Sequence, residues 1–489
     1  MRISANGAPA DTILKRASMT FWGGRWRDSG GSSRIPVLNP ATGSILAESV
    51  ESSPEQIRAA VHAAAAARGV WNGSSPSERA ELLNVIADAL EERAEELALL
   101  VTDEVGTPIA ESRRMQLPTA VHTFRSTAAA IEDLSFREML GTSVIEHCPI
   151  GVVAAITPWN YPLYLAACKL APAIAAGCPI VIKPSEIAPL AVTVLADLCH
   201  AAGVPEGSLG LVQGSGETVG KALVEAAGVD MISFTGSTRT GARIAAQAGR
   251  LVRPVALELG GKSAAAVLDE ALLESAVRQT VAKCFQNAGQ TCAALSRLLV
   301  PGHLKAPTEE LAVAIAGEYA AGDPRDPQTT LGPLASKAQL RKVRRFVRRA
   351  DEEGARVLCG GWDLPAGVGK GYFARATVIS DVSPEMEVAR EEIFGPVLSI
   401  LAFEDESEAL AIANGTEFGL SGAVWAADAG RAMRFARRMR AGSVSINGAP
   451  TNADAPFGGF GASGFGRERG RAGIEEYLAT RAIHSVANG

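Results

Sequence analysis

Aromatic side chains supply only 5% of this 489-residue sequence, and glycine, at 50 residues, far outnumbers them. That balance suits tight turns and small-residue packing. Cysteine occurs seven times, as Cys148, Cys168, Cys178, Cys199, Cys284, Cys292 and Cys359, with no CxxC pair and no Cys/His grid. An odd count spread thinly through a long chain argues against a disulfide framework and against structural zinc, so no metal is expected. Most of these thiols are expected to be small buried hydrophobes in a reducing compartment. Neither charge is in large excess: 47 Lys and Arg stand against 53 Asp and Glu, a net charge of −6. Nothing there points to nucleic acid or to an anionic membrane. The only membrane-like stretch, the uncharged residues 150–168, is broken by Pro158, Asn160 and Pro162, which suits a strand, a turn and a helix better than a membrane span. The opening segment MRISANGAPADTILK has no apolar core of a signal peptide, so a cytoplasmic location is expected. Internal repeats, low-complexity tracts and a clean GxGxxG after the first strand are also missing.

What is present is a large apolar reserve, 47% hydrophobic against 20% charged, with a mean hydropathy of +0.12. Disorder is excluded. At roughly 150 residues per domain the length suggests two to four domains. Residues 1–20 read as a loose extension and 23–33 as a Gly/Ser-rich surface loop. Helices are expected over 54–68 and 77–105, the latter with a solvated EERAEEL face, and a short hairpin over 136–147 turning at Gly141. From Ile150 the alternation becomes regular. Apolar strands at 150–156, 179–184, 209–212, 231–236 and 254–260 are separated by helices at 163–177, 188–202, 216–227 and 238–248. This spacing predicts a parallel doubly wound α/β sheet, whose ligands sit beyond the carboxyl ends of the strands. A second α/β segment runs from near Leu272 to about 460, with strands at 297–300, 397–403 and 443–446, and the stretch from Ile474 is a helix or strand that must dock.

The residues that could carry chemistry fall at those strand ends. Cys292, in NAGQTCAALSR, follows a helix broken at Gly289; an exposed turn, with a helical turn after it, would aim amide N–H groups at the sulfur and lower its pKa. Nucleophile and packing residue are equally open on that context alone. Glu258, in LELGGKS, is either a buried general base or a glutamate at the sheet rim. Asn160, in ITPWNYP, offers an amide to an oxyanion or serves ordinary turn chemistry. Lys183 and Glu186, in IKPSE, stand where an acid would meet ribose hydroxyls. Turns at 213–220 and 234–241 could bring backbone N–H groups to a pyrophosphate.

Taken together, Asn160, Lys183, the GSTRTG turn, Glu258 and Cys292, with EEIFGP (391–396), PFGG (456–459) and SGFGRE (463–468), resemble the NAD(P)-dependent aldehyde dehydrogenase superfamily. The resemblance spans nearly the whole chain after the N-terminal extension, in family order. It implies two doubly wound α/β domains, one Rossmann-like for the cofactor and one catalytic, plus a small β oligomerisation element. The implied limits are 21–127 and 149–260 for the cofactor domain, 261–460 for the catalytic domain, 128–148 and 478–489 for the oligomerisation element, and 461–477 for a returning segment. The family binds its cofactor without the usual glycine fingerprint, which accounts for the missing GxGxxG.

The mechanism implied by the resemblance makes Cys292 the nucleophile, with its oxyanion held by the Asn160 amide and the Cys292 N–H. A thiohemiacetal gives up hydride, and Glu258 activates water to release the acid from the thioester. Lys169 and Glu468 match positions of proton relay or support. For the cofactor, the resemblance implies Ile156, Thr157, Pro158, Trp159, Lys183, Ser185, Glu186, Gly216, Phe234, Gly236, Ser237, Leu259, Gly260, Glu392 and Phe394. A carboxylate near the ribose 2′-hydroxyl favours NAD over NADP. The aldehyde would meet Tyr161, Leu165, Cys168, Gln286, Thr291 and Phe457. Cys168 stands where a bulky aromatic is common and GAPTNADA (448–455) has none, so a comparatively wide tunnel is expected, without a positive group to anchor a carboxylated aldehyde or an aromatic cage for a quaternary ammonium. Strands paired across subunits imply a homodimer or homotetramer, and HCPIG in place of the usual acid-Pro-Ile-Gly favours the dimer. Three other readings compete. CoA-acylating dehydrogenases tend to lack the glutamate; a cofactor-free cysteine esterase or thioesterase would have no use for Lys183, Glu186 and EEIFGP; a silent scaffold would not keep the whole set.

Overall fold

The apolar runs of the middle of the chain become five short parallel strands in the computed structural model, which describes residues 10–484. Val153–Ile156, Ile180–Lys183 and Leu209–Leu211 step outward in one direction, and Met231–Thr235 and Val255–Glu258 in the other. All five are parallel and buried almost throughout, as continuous apolar runs covered by helices on both faces should be. The order reverses between Val153–Ile156 and Met231–Thr235, and this reversal opens a crevice at their carboxyl ends. Antiparallel strands close the sheet to eight: Gly464–Phe465 beside Val255–Glu258, and Met19–Trp22 with Arg25–Asp28 beyond Leu209–Leu211.

Helix ends follow local chemistry. Pro162 opens the helix Pro162–Ala176, and Gly177, in the left-handed region, closes it. Gly203 closes Leu190–Ala202 in the same way. A second, seven-stranded sheet runs in the order 356–359, 377–380, 397–403, 297–301, 264–267, 421–425, 443–446, parallel except for its first strand. The fold is therefore α/β with two such sheets. A third sheet joins Leu478–His484 to the hairpin Arg137–Leu140 and Ser143–Pro149, which turns at Gly141 as expected.

Several expectations need correction. Within the stretch read as a loose extension, Ala10–Arg16 is a helix and Met19–Trp22 a strand, because Ile13, Ala17 and Phe21 insert into the main core; residues 1–9 and 485–489 lie outside the described part of the chain. The Gly/Ser-rich segment 23–33 is not a loop: Arg25–Asp28 and Gly30–Leu38 are strands, with Gly23 and Gly24 supplying the positive φ of the turn from Met19–Trp22 and Gly30 that at the start of the next strand. The helix expected over 77–105 divides at Arg93 into Pro76–Glu92 and Ala94–Val105, and the first begins one residue earlier, at a capping box between Ser75 and Glu78. The stretch 216–227 is a π-turn followed by the short helix Lys221–Glu225. Strands at 264–267, 377–380 and 421–425 were not anticipated; AAAV is read as readily as helix until its neighbours pair with it.

Candidate active site

Two cavities meet at the reversal of the first sheet. The larger, about 560 Å³, is lined by Ile156, Thr157, Pro158, Trp159, Lys183, Ser185, Glu186, Gly216, Phe234, Gly236 and Ser237 among others. Lys183 ends its strand fully buried, with Nζ donating to the Pro184 carbonyl (2.9 Å) and to Glu186 Oε2 (3.3 Å). Burial lowers its pKa, and the Glu186 carboxylate works against that. Gly236 has no room for a side chain: a Cβ there would come within 2.5 Å of the Phe234 ring. Ser237 caps the helix Thr238–Arg250, accepting from the Thr240 N–H at 3.3 Å, and so presents a helix N-terminus to the cavity.

The smaller cavity, about 200 Å³, shares Pro158, Trp159, Thr235, Gly236 and Ser237 with the first. Cys292, Asn160, Glu258, Leu165, Leu259, Gly260, Glu392 and Phe394 complete much of its wall. The thiol is delivered by an abrupt change of direction. After the helix Leu273–Phe285, three successive residues, Asn287, Ala288 and Gly289, have φ of 51°, 54° and 73°. At Gly289 only glycine fits, since a Cβ would lie 2.1 Å from the Gly395 carbonyl.

A buried polar network fixes this loop to Asn160. The Asn160 amide donates to the Gln290 carbonyl (2.9 Å), which leaves its second N–H uncommitted among the described residues. The Asn160 carbonyl accepts from Gln116 (2.9 Å) and from the Asn287 amide (3.0 Å). Thr107 donates to Asn287 Oδ1 (2.7 Å), and Gln290 binds the Asn287 carbonyl (3.1 Å) and the Ala335 N–H (2.8 Å). Thr107, Gln116, Asn287 and Gln290 were absent from the sequence-based set; polar residues in apolar context were the signal, but their partners lie far off in sequence.

The expected helical turn after Cys292 is absent. A single turn, Thr291 to Ala294, follows instead. Burial, with the negative charges of Glu392, Glu258 and Glu468, pushes the Cys292 thiol up to about 12, and the Ala293 N–H opposes this only in part. The expected lowering of the thiol pKa is thereby reversed.

Glu258 is 5% exposed, and neither carboxyl oxygen has a hydrogen-bond partner among the described residues. Burial and then the charge of Glu468 hold its pKa well above the usual carboxylate range; Lys169, Arg467 and Arg469 pull the other way. Lys169 and Glu468 form a buried pair at 2.6 Å. Glu392 accepts from the Gly261 N–H at 3.1 Å, and a Cβ on Gly260 would come 2.8 Å from its other oxygen. Phe394 stands edge-on to Trp159 at 5.5 Å.

The residues expected to meet an aldehyde are divided. Tyr161 bonds Thr291 (2.7 Å) and receives the Gln286 amide (2.9 Å), while Leu165 lines the Cys292 cavity. Cys168 is buried, its thiol pKa raised first by burial and then by Glu468. Phe457 opens on a third cavity, of about 330 Å³, together with Arg469. In the sequence Arg469 passes for one of several surface arginines, and only folding sets it against Phe457.

The family model for the aldehyde dehydrogenase family matches residues 26–483. The 3-succinoylsemialdehyde-pyridine dehydrogenase of a Pseudomonas species is 43% identical over 461 residues, covering 94% of this chain and 97% of the relative. Among solved structures, a mutant of aldehyde dehydrogenase C from Pseudomonas syringae complexed with NAD+ and octanal superimposes with a TM-score of 0.95 at 42% identity, over 99% of this chain and 98% of that one. The Mycobacterium tuberculosis aldehyde dehydrogenase complexed with NAD+ gives 0.94 at 35% identity, over 96% and 99%.

Proposed function

The chain belongs to the aldehyde dehydrogenase family, and from that we propose that it oxidises an aldehyde to the carboxylic acid with NAD, through a thioester on Cys292 that is hydrolysed with Glu258 as base. One observation carries the reading: the thiol, an uncommitted amide N–H and an unpartnered buried carboxyl border one cavity, which opens directly onto the larger one.

The residues of the larger cavity fit a dinucleotide. A crevice at a reversal of strand order, a helix N-terminus at Ser237 and the space held open at Gly236 suit a pyrophosphate. Lys183 and Glu186 would hold the adenosine ribose, Glu392 the other ribose, and Phe394 with Trp159 would flank the nicotinamide. NAD, when bound, supplies the hydride acceptor. Glu186 disfavours a 2′-phosphate by charge repulsion, so NAD is preferred to NADP.

The chain's own residues do the rest. Cys292 gives its proton to water and adds as thiolate to the aldehyde carbon; the carbonyl oxygen becomes an oxyanion held by the free Asn160 N–H and the Cys292 N–H. After oxidation the acyl group remains on sulfur. Glu258, ionised, takes a proton from water as the water oxygen bonds the acyl carbon; the C–S bond breaks to release the acid and a thiolate, which takes that proton back from Glu258 to return the thiol. Lys169 and Glu468 set the charge around that carboxyl. The first sheet, largely within 21–127 and 149–260, serves the cofactor, and the second, within 261–460, serves catalysis.

A homo-oligomer, dimer or tetramer, is also proposed. Met139 and Leu140 are 65% and 70% exposed on an edge strand of the three-stranded sheet, and Ser443–Ile446 is an edge of the seven-stranded one. Light scattering on the purified chain tests this. Among the described residues no helix is long and apolar enough to cross a membrane; seven unpaired cysteines support a reducing, cytoplasmic setting. The test of the reaction is formation of NADH across a panel of aldehydes, with NAD and NADP, in wild type and Cys292→Ala. Activity that survives in the variant, or that appears only with CoA, would overturn the mechanism.

A further inference from the structure

Arg469 is the least explained charged group near the site. Its guanidinium carbon lies 4.6 Å from the centre of the Phe457 ring and 5.5 Å from that of Tyr164. Nε donates to the Tyr164 hydroxyl at 2.9 Å and Nη2 donates to the same oxygen, while Nη1 makes no hydrogen bond among the described residues. No ion pair of the side chain is formed among those residues, although a neighbouring arginine, Arg471, pairs with Glu475 in the ordinary way. The backbone at Arg469 has φ 71° and ψ 155°, a conformation that residues with a Cβ rarely adopt. Two hydrogen bonds between Phe457 and Glu468 (2.9 and 2.8 Å) hold it there. Free donors on a guanidinium fixed between two rings form a preorganised receptor for oxygen.

The cavity in front of it is built to match. Ser443, Ser445, Thr451, Asn452, Phe457 and Arg469 line a space of about 330 Å³, part apolar and part hydroxyl- and amide-bearing. Arg469 also lies within electrostatic reach of Cys168, Glu468 and Glu258. The guanidinium thus borders this cavity while its charge still reaches the Glu258 carboxyl. Lys169 is already paired with Glu468, so that carboxylate is committed elsewhere and forms no ion pair with Arg469.

We propose that Arg469 anchors an acceptor oxygen, a carboxylate or a ketone, at the far end of the aldehyde, so that the preferred substrates are oxo-acids and keto-aldehydes rather than plain alkanals. The inference rests on the reading of Cys292 as nucleophile; it adds the class of tail. Charge-assisted hydrogen bonding from a fixed guanidinium supplies the discrimination, and an alkyl tail would leave its free N–H groups without an acceptor.

The experiment compares three homologous series, n-alkanals, methyl-keto aldehydes and ω-oxo acids, with NAD as acceptor. In wild type at least one acceptor-bearing series should exceed the alkanal of equal length by about tenfold or more in kcat/KM, mainly through KM. The carboxylate and ketone arms identify the source of the oxygen; a carboxylate preference should weaken with added salt. In Arg469→Gln the ratio of acceptor-bearing to plain substrate should fall toward one, and Arg469→Lys should restore part of it. A wild-type ratio near one, or a ratio unchanged in Arg469→Gln, overturns the proposal. The salt dependence is measured on wild type alone, so it stands even if the variants fold poorly. Absence of NADH formation with all three series, or its survival in Cys292→Ala, would instead overturn the dehydrogenase mechanism.

Discussion

Lys169 and Glu468, 299 residues apart in sequence, meet with Nζ 2.6 Å from Oε1 and with 1% and 8% of their side chains exposed. Each acts on Glu258, Glu468 raising its pKa and Lys169 lowering it. The pair therefore bears on the charge state of the proposed base. In Glu468→Gln the repulsion disappears while Lys169 remains, so Glu258 should ionise at lower pH. The acid limb of the kcat–pH profile should move down when deacylation is rate-limiting. The lysine left buried without a partner should cost about 3–5 kcal/mol of stability, measured by denaturant unfolding. An unmoved limb would separate the pair from the base.

Glu258→Ala should keep one turnover and lose the next. A stopped-flow burst of NADH, near one equivalent per active site, should precede steady turnover lowered by about a hundredfold or more. Loss of the burst as well would count against a purely deacylating role.

Glu392 contributes the largest electrostatic share, after burial, to the raised pKa of Cys292. Glu392→Gln should therefore release the thiolate at lower pH. Alkylation of Cys292 by iodoacetamide at neutral pH should speed up by as much as about tenfold, the effect of one pKa unit. A slower reaction would contradict that electrostatic account.

Glu186 stands beside Lys183 at the mouth of the larger cavity, with 32% of its side chain exposed. Glu186→Gln should raise the NADP-to-NAD ratio of kcat/KM by about tenfold, because a 2′-phosphate no longer meets a carboxylate. An unchanged ratio would place the ribose elsewhere.

Glu104 is fully buried and accepts from the Leu190 and Ala191 N–H groups, and burial still pushes its pKa up to about 8; Glu111, also buried at its carboxyl, is pushed up to about 7. Both folded values lie above the unfolded value of about 4.5. Their contribution to stability is complete below the unfolded pKa and is lost as pH rises through about 7 and about 8. The melting temperature should fall over that window, and less steeply in Glu104→Gln. A slope identical to wild type would remove Glu104 from the account.

The alternation of strand and helix between 150 and 260, its glycine stops at Gly177 and Gly203 and the strand-end positions of Asn160, Lys183 and Glu258 could be read from sequence. They follow from local periodicity and turn chemistry. The motifs carrying Cys292, Glu392 and Phe394 were equally legible, because each is a compact run of residues. Folding alone decided the rest, since long-range pairing and desolvation have no local signature. AAAV at 264–267 became a strand only by pairing with its neighbours, and the Gly/Ser-rich start became a hairpin because it covers a sheet edge. The Thr107–Gln116–Asn287–Gln290 network joins separate parts of the chain. The upward shift of the Cys292 thiol and the charge of Arg469 beside Phe457 depend on which distant groups share one low-dielectric space, and that is a property of the tertiary structure.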